Sequence, residues 1–396
     1  MQLMTSSKIP FYTAITSFIL AFSFLNACQP ESPITIGATM SQSGSLSTQG
    51  QAAMNGYLLC QDHINEQGGL LNRQVEFLIY DDRSDIDTAN SFYEQLITED
   101  GVDLVMGPYG STLTEAVAPV TERHRMVHVS PLAATTSIWE QGREYLFMVL
   151  PPAELFLAGL IEMAHDRGLT RVGIIQQDAL FPCAAGNGAV ELATQKGMEV
   201  VFMETYESVT TDFRNILRQV KDENVEVLAM AASPLDDFIT VVRRMKEMDV
   251  NVKMFGTSGA VSRFQEELGS DGEYAYGLSA WEPGLPYPGI DEFVEAYSSK
   301  FNLEPSFHAA GAYGSCLIFR EAIERAGSLD QDAIRTVLLN LEIQTIFGNY
   351  AVDERGYQVA NDGLFIQWQN GRKVIVWPDE VAEAEPRYPT PDWNER

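Results

Sequence analysis

From Ile34 onward, short runs rich in Val, Ile and Leu alternate with stretches whose apolar positions recur every three to four residues. The first kind reads as strand, the second as amphipathic helix. Strands are predicted over 34–40, 75–80, 104–106 and 127–130, with helices over 52–66, 88–98 and 113–123. The pattern then restarts. Strands over 171–175, 200–203, 227–230 and 252–255 are separated by helices over 154–167, 185–196, 213–223 and 236–248. Such strands, separated by helices, form parallel sheets covered on both faces, so two successive alternations predict two doubly wound α/β lobes.

The final third is less regular. Helices over 291–301, 309–326 and 330–341 precede β-like pieces over 348–352, 363–368 and 373–377, with Gly356 and Asn370-Gly371 as turn signals. The segment from Pro378 carries four prolines and several acids, and is expected to lie extended on the surface.

The N-terminus carries a different signal. Lys8 is the only charged residue before Glu31, and 11–25 is an apolar run of 15 residues. That is short for a membrane span and right for the core of a secretory leader. It ends in Leu25-Asn26-Ala27-Cys28, which resembles a bacterial lipobox. Cleavage before Cys28 and a diacylglycerol on its sulfur would tether the chain to a membrane through 28–33. Ordinary leader cleavage, with Cys28 incidental, is the plainer alternative.

The composition of the 396-residue chain fits this picture. Length suffices for two domains, and 45% hydrophobic against 20% charged residues indicates a core-forming chain rather than a disordered one. A formal charge of −29 repels phosphate backbones and anionic headgroups, which disfavours nucleic acid as a partner and leaves the lipid anchor as the route to a membrane. Beyond Cys28 three cysteines remain, Cys60, Cys183 and Cys316. An odd number cannot all pair, and their surroundings are helical or apolar, so buried free thiols are expected.

Catalytic and cofactor motifs are missing. The chain has no GxSxG, no P-loop, no HExxH and no CxxC. Gly186-Asn187-Gly188 falls inside a helical pattern without a third glycine, so it is not read as a dinucleotide fingerprint. His124 and His128 flank a helix-to-strand junction and read as structural. Asp81-Asp82 ends a strand, where carboxylates mostly cap turns. No metal, cofactor or catalytic residue is predicted.

Three loops rich in small polar residues each follow a strand: 41–50, 107–112 and 130–137. In a doubly wound sheet they lie at the carboxyl ends of the strands, where ligands bind. Free N–H groups at a helix start, aided by the helix dipole, favour a carboxylate there, and Ser111 can add a hydroxyl donor. Each serine taken singly could equally be an N-cap.

With these loops in view, the chain resembles the branched-chain amino acid type of periplasmic binding protein, the solute-capturing component of ABC importers. The matching phrases include ITIGATMSQSGSLSTQGQAAMNGYLL, DLVMGPYGS, VSPLAATTSIWEQG and FGNYAVDERGY. The resemblance implies two Rossmann-like lobes joined by three crossings, the type I periplasmic binding fold. It implies lobe one over 34–152 plus 283–346 and lobe two over 153–282 plus 347–380, which lie between the leader 1–27 with its tether 28–33 and an extended tail over 381–396. It further implies a monomer on the periplasmic or extracellular face that passes a small polar solute to permease subunits. The same fold also serves as a ligand-sensing or regulatory module without transport.

By the same resemblance, the ligand-binding positions fall on Ser43, Gln49, Tyr109, Ser111, Leu132, Ala134, Thr135, Phe181 and Ser258. Ser111 matches the hydroxyl that grips a ligand carboxylate. Ala134 stands at a threonine position with Thr135 beside it, Gln49 stands where an aromatic is usual, and Phe181 replaces a tyrosine. Ser258 occupies the place of the acid that pairs with a ligand ammonium. Asp178, Asp236 and Asp237 lie in neighbouring loops. A buried ammonium without a carboxylate partner is costly, so the expected solute is a small carboxylate or amide-like molecule rather than a branched-chain amino acid.

Overall fold

The computed structural model describes residues 32–207 and 212–396; Cys28 and the leader lie outside them. The chain opens with β1 (Ile34–Met40), α1 (Ser47–Glu66), β2 (Val75–Asp81), α2 (Ile86–Thr98), β3 (Leu104–Met106), α3 (Ser111–Arg123), β4 (His128–Ser130) and β5 (Leu146–Met148). These five strands form one parallel sheet in the order β2-β1-β3-β4-β5. A single 3-10 turn, Ala153–Leu155, then leads into the second alternation.

That alternation comprises α4 (Ala158–Asp166), β6 (Arg171–Gln177), α5 (Leu180–Gln195), β7 (Glu199–Tyr206), α6 (Arg214–Asp222), β8 (Val227–Ala231), α7 (Leu235–Glu247), β9 (Met254–Thr257), α8 (Ser262–Leu268) and β10 (Tyr276–Ser279). Its parallel strands run β7-β6-β8-β9-β10, which repeats the order of the first sheet. Next come α9 (Ile290–Phe301), α10 (Phe307–Ala326) and α11 (Gln331–Leu339). α10 returns to the first lobe and packs along α1. A small ladder follows, β11 (Ile343–Thr345) with β12 (Gly348–Tyr350). Finally β13 (Leu364–Gln369) and β14 (Arg372–Trp377) add to the second sheet, β13 lying antiparallel to β10. Asn370 and Gly371 join them with φ of 56° and 77°, the doubly left-handed turn that an Asn-Gly pair allows.

Several elements differ from the sequence reading. β5 and β10 were not expected, and Gly277 interrupts the apolar run of the second. The helix expected over 154–167 is divided at Phe156 and Leu157 between the 3-10 turn and α4. The C-terminal segment has no regular element beyond Trp377, yet it is fastened to the second lobe. Trp393 donates from Nε1 to the Val250 carbonyl at 2.8 Å, Thr390 N–H to that of Lys253 at 3.1 Å, and the Arg396 guanidinium covers the Trp393 ring.

The cysteine expectation is corrected. Cys60 of α1 and Cys316 of α10 form a disulfide across 256 residues of sequence, and among the described residues Cys183 stays free. The pairing follows from how closely these helices approach: a Cβ at Gly56 would come within 2.3 Å of the Ala309 carbonyl oxygen, so only glycine allows the contact. Parity forbids three cysteines from all pairing, but it leaves room for one bond.

Candidate functional site: a cleft at two matching switch points

In a doubly wound sheet the strand order reverses at one point, and the loops diverging there leave a crevice beyond the strand ends. The reversal falls between β1 and β3 in the first sheet and between β6 and β8 in the second. The loops from both points line one cleft, enclosing about 770 Å³ with the solvent at its mouth included. Leu46 and Gln49 follow β1 at the start of α1, Tyr109 to Leu113 follow β3 into the start of α3, and Leu132 and Ala134 follow β4. Facing them are Phe181 after β6, Ala232, Ser233 and Leu235 after β8, and Ser258, Gly259 and Val261 after β9. The first turns of α1, α3, α5, α7 and α10 all border this space.

One polar pole stands out. The first intrahelical bond of α3 runs from the Thr114 N–H to the Gly110 carbonyl, so the N–H groups of Ser111, Thr112 and Leu113 point out of the helix start. Ser111 is 2% exposed, and its Oγ accepts from the N–H of Ala134 at 3.1 Å and of Thr135 at 3.2 Å. With both acceptor positions filled, the hydroxyl proton remains for a ligand. This arrangement suits a carboxylate.

The remaining walls are apolar and aromatic. Leu46, Leu113, Leu132, Leu150, Phe156, Phe181, Leu235, Phe238, Val261 and Phe307 contribute, with the Phe156 and Phe181 rings set edge to face at 5.0 Å. Among the described residues, no Asp, Glu, Lys or Arg lines the cleft. The expectation of a small polar solute therefore gains an apolar body.

Most predicted positions meet here: Gln49, Tyr109, Ser111, Leu132, Ala134, Phe181 and Ser258. Two, Ser43 and Thr135, do not line it. Ser43 is exposed; Asp81 accepts its hydroxyl at 2.7 Å and its N–H at 3.1 Å, which holds the loop back on β2. Thr135 is buried behind the wall and contributes its N–H to Ser111. Others are already engaged within the protein. The Ser258 hydroxyl exchanges hydrogen bonds with the Ala232 backbone at 3.1 and 3.2 Å. The Leu132 carbonyl accepts from Gly110 N–H, and that of Ala134 from Ala153 N–H. Gln49 donates from Nε2 to the Ser233 carbonyl at 3.0 Å, a bond from the first lobe to the second.

The candidate ammonium partners are also accounted for. Asp237 accepts from the Tyr206 hydroxyl at 2.8 Å, Asp236 pairs with Arg263 at 3.0 Å, and Asp178 is exposed. Asp81 and Asp82 tie the β1 and β2 ends together, Asp82 accepting from Thr39 and Ser41 hydroxyls. Gly188 lies inside α5, where a Cβ would come within 2.1 Å of the Glu154 carbonyl oxygen; it serves close packing, not a phosphate.

Sequence reasoning missed His308. It sits in the first turn of α10, 5% exposed, between the Phe307 ring (stacked, 3.8 Å) and the Tyr109 ring (edge-on, 5.4 Å). A histidine beside a phenylalanine at a helix start gives no sequence signal of a cleft; only the return of α10 to the first lobe brings it there. Burial depresses the pKa of His308 to about 3 and that of His128 to about 4. Both rings are therefore neutral in the folded state near pH 6, while in the unfolded chain they take up protons near 6.5. The folded-state values are the lower ones, so this stability is complete above pH 6.5 and declines as pH falls towards 4. Calorimetric melting should show Tm falling over that window, and His308→Phe should flatten the fall; an unchanged slope would contradict a buried neutral imidazole.

With the geometry in hand, comparisons with known proteins can be stated. Residues 33–373 match the family model for periplasmic binding protein. The chain is similar to the Leu/Ile/Val-binding protein homolog 8 of Brucella abortus (strain 2308), 25% identical over 387 residues, covering 90% of this chain and 93% of that one. In structure it is similar to a leucine binding protein from Thermotoga maritima, with a TM-score of 0.79 at 21% identity over 86% of this chain and 97% of the other. It is equally similar in fold to a solute binding protein of an ABC transporter from R. palustris in complex with benzoate, with a TM-score of 0.77 at 14% identity, covering 89% and 99%.

Proposed function

This chain belongs to the periplasmic binding protein family, and we propose that it captures a small carboxylate with an apolar body and delivers it to the permease subunits of an ABC importer. The observation that carries the reading is the Ser111 hydroxyl, held by two backbone N–H donors at the start of α3 and facing an uncharged, largely apolar cleft. A carboxylate meets a hydroxyl, outward N–H groups and a helix dipole at one end, while its body displaces water from aromatic walls. The benzoate bound by the R. palustris protein is a ligand of this chemical kind.

Capture by hinge closure about the three crossings accounts for a cleft lined from both lobes. Extracytoplasmic placement is in keeping with the family and with the Cys60–Cys316 disulfide, a bond of oxidising compartments. On this reading Cys28 carries the lipid that keeps a monomeric carrier near its membrane partner. Binding, not turnover, is the activity.

The test is a thermal-shift screen of organic acids, amides, amino acids and polyols, since a specific ligand raises Tm by mass action. Ser111→Ala should then weaken an acid hit by about 1–3 kcal/mol in calorimetry, the worth of one hydrogen bond to a charged group. An unchanged affinity would place the carboxylate elsewhere.

A further inference from the structure

The carboxylate reading leaves one polar group in the cleft without a task. Neither ring nitrogen of His308 has a hydrogen-bond partner among the described residues, although the side chain is almost fully buried and lines the cleft. His128, equally enclosed in the same lobe, shows the ordinary arrangement: one ring nitrogen meets the Gly107 carbonyl, the other the Thr121 hydroxyl. The Tyr109 hydroxyl, on the ring that packs edge-on against His308, also has no partner among the described residues. A neutral imidazole carries one N–H donor and one lone-pair acceptor. A carboxylate offers only acceptors, so it cannot satisfy the lone pair, and a buried group left unpaired costs binding energy.

We propose that His308 is a specificity-determining contact: the solute carries, besides its carboxylate, a neutral hydrogen-bonding group, foremost a hydroxyl, that pairs with the imidazole. A hydroxyl both donates and accepts, so it serves either tautomer, and it fits between an aromatic wall and the tip of Tyr109. The stacking of the ring on Phe307 fixes its plane, which makes the contact directional rather than adaptable. The inference rests on the cleft being a carboxylate site, and the test separates the two.

Calorimetry on the wild type, Ser111→Ala, His308→Phe and His308→Asn would use three probe sets. They are benzoate with its 3- and 4-hydroxy forms, benzamide with the same hydroxylated forms, and 4-methylpentanoate with its 2-hydroxy form. In at least one set the hydroxylated member should bind the wild type about tenfold more tightly than its parent. His308→Phe should erase that ratio, and His308→Asn, which restores a donor and an acceptor, should recover part of it. Ser111→Ala should weaken the acids and leave the ratio intact. A ratio near one in every set, or one that survives His308→Phe, overturns the role of His308 while the acid reading stands. Amides that bind as well as acids, insensitive to Ser111→Ala, overturn the acid reading while the ratio still reports on His308. Failure of every probe to bind overturns both.

Discussion

4-Methylpentanoate, which is leucine without its ammonium group, is expected to bind about 100-fold more tightly than leucine itself, because an unpaired buried ammonium costs several kcal/mol. The acids of an amino acid-binding cleft repay that cost, and here the described residues lining the cleft include none. Ser258 stands at the relevant turn with its hydroxyl already shared with the Ala232 backbone. The carbonyls of Leu132 and Ala134 accept from Gly110 and Ala153. Asp236 and Asp237 are held by Arg263 and Tyr206. Competition calorimetry with the two compounds gives the ratio directly. Leucine binding as tightly as the acid would show that an ammonium partner has been overlooked, and the proposed ligand class would fall.

The second large effect concerns stability. Replacing Cys60 and Cys316 together with alanine is expected to cost about 2–5 kcal/mol, since the bond closes a long loop and restricts the unfolded chain. It also fixes α10 against α1, and α10 is the element that carries Phe307 and His308 into the cleft. Urea unfolding of the double variant should show a lower midpoint than the oxidised wild type, and reductant should shift the wild type the same way. Coincident curves would mean that packing of α1 against α10 holds this lobe unaided.

The architecture was largely legible because its signals are repeated. Long strands such as β1 and β6 and helices such as α2 and α7 announce themselves by period, and their alternation restarts once. β5 and β10 were hidden, and their places are settled by neighbours already in the sheet. The site was legible where a loop lies directly beyond a strand end, as for Ser111. It failed at Ser43, where Asp81 on the adjacent strand competes for the loop. It failed differently at His308 and at the disulfide, which depend on a helix that returns from far along the sequence. No local pattern encodes that return.

The bond from Gln49 to Ser233 is made by protein atoms alone, so it favours a shut jaw whether or not cargo is aboard. An unloaded carrier held shut presents much the same outline as a loaded one. Importers that judged arrivals by outline would waste encounters on empty visitors. On the proposed transport reading, a permease would have to tell the two apart by how long the jaw stays shut, a dwell time that bound solute lengthens.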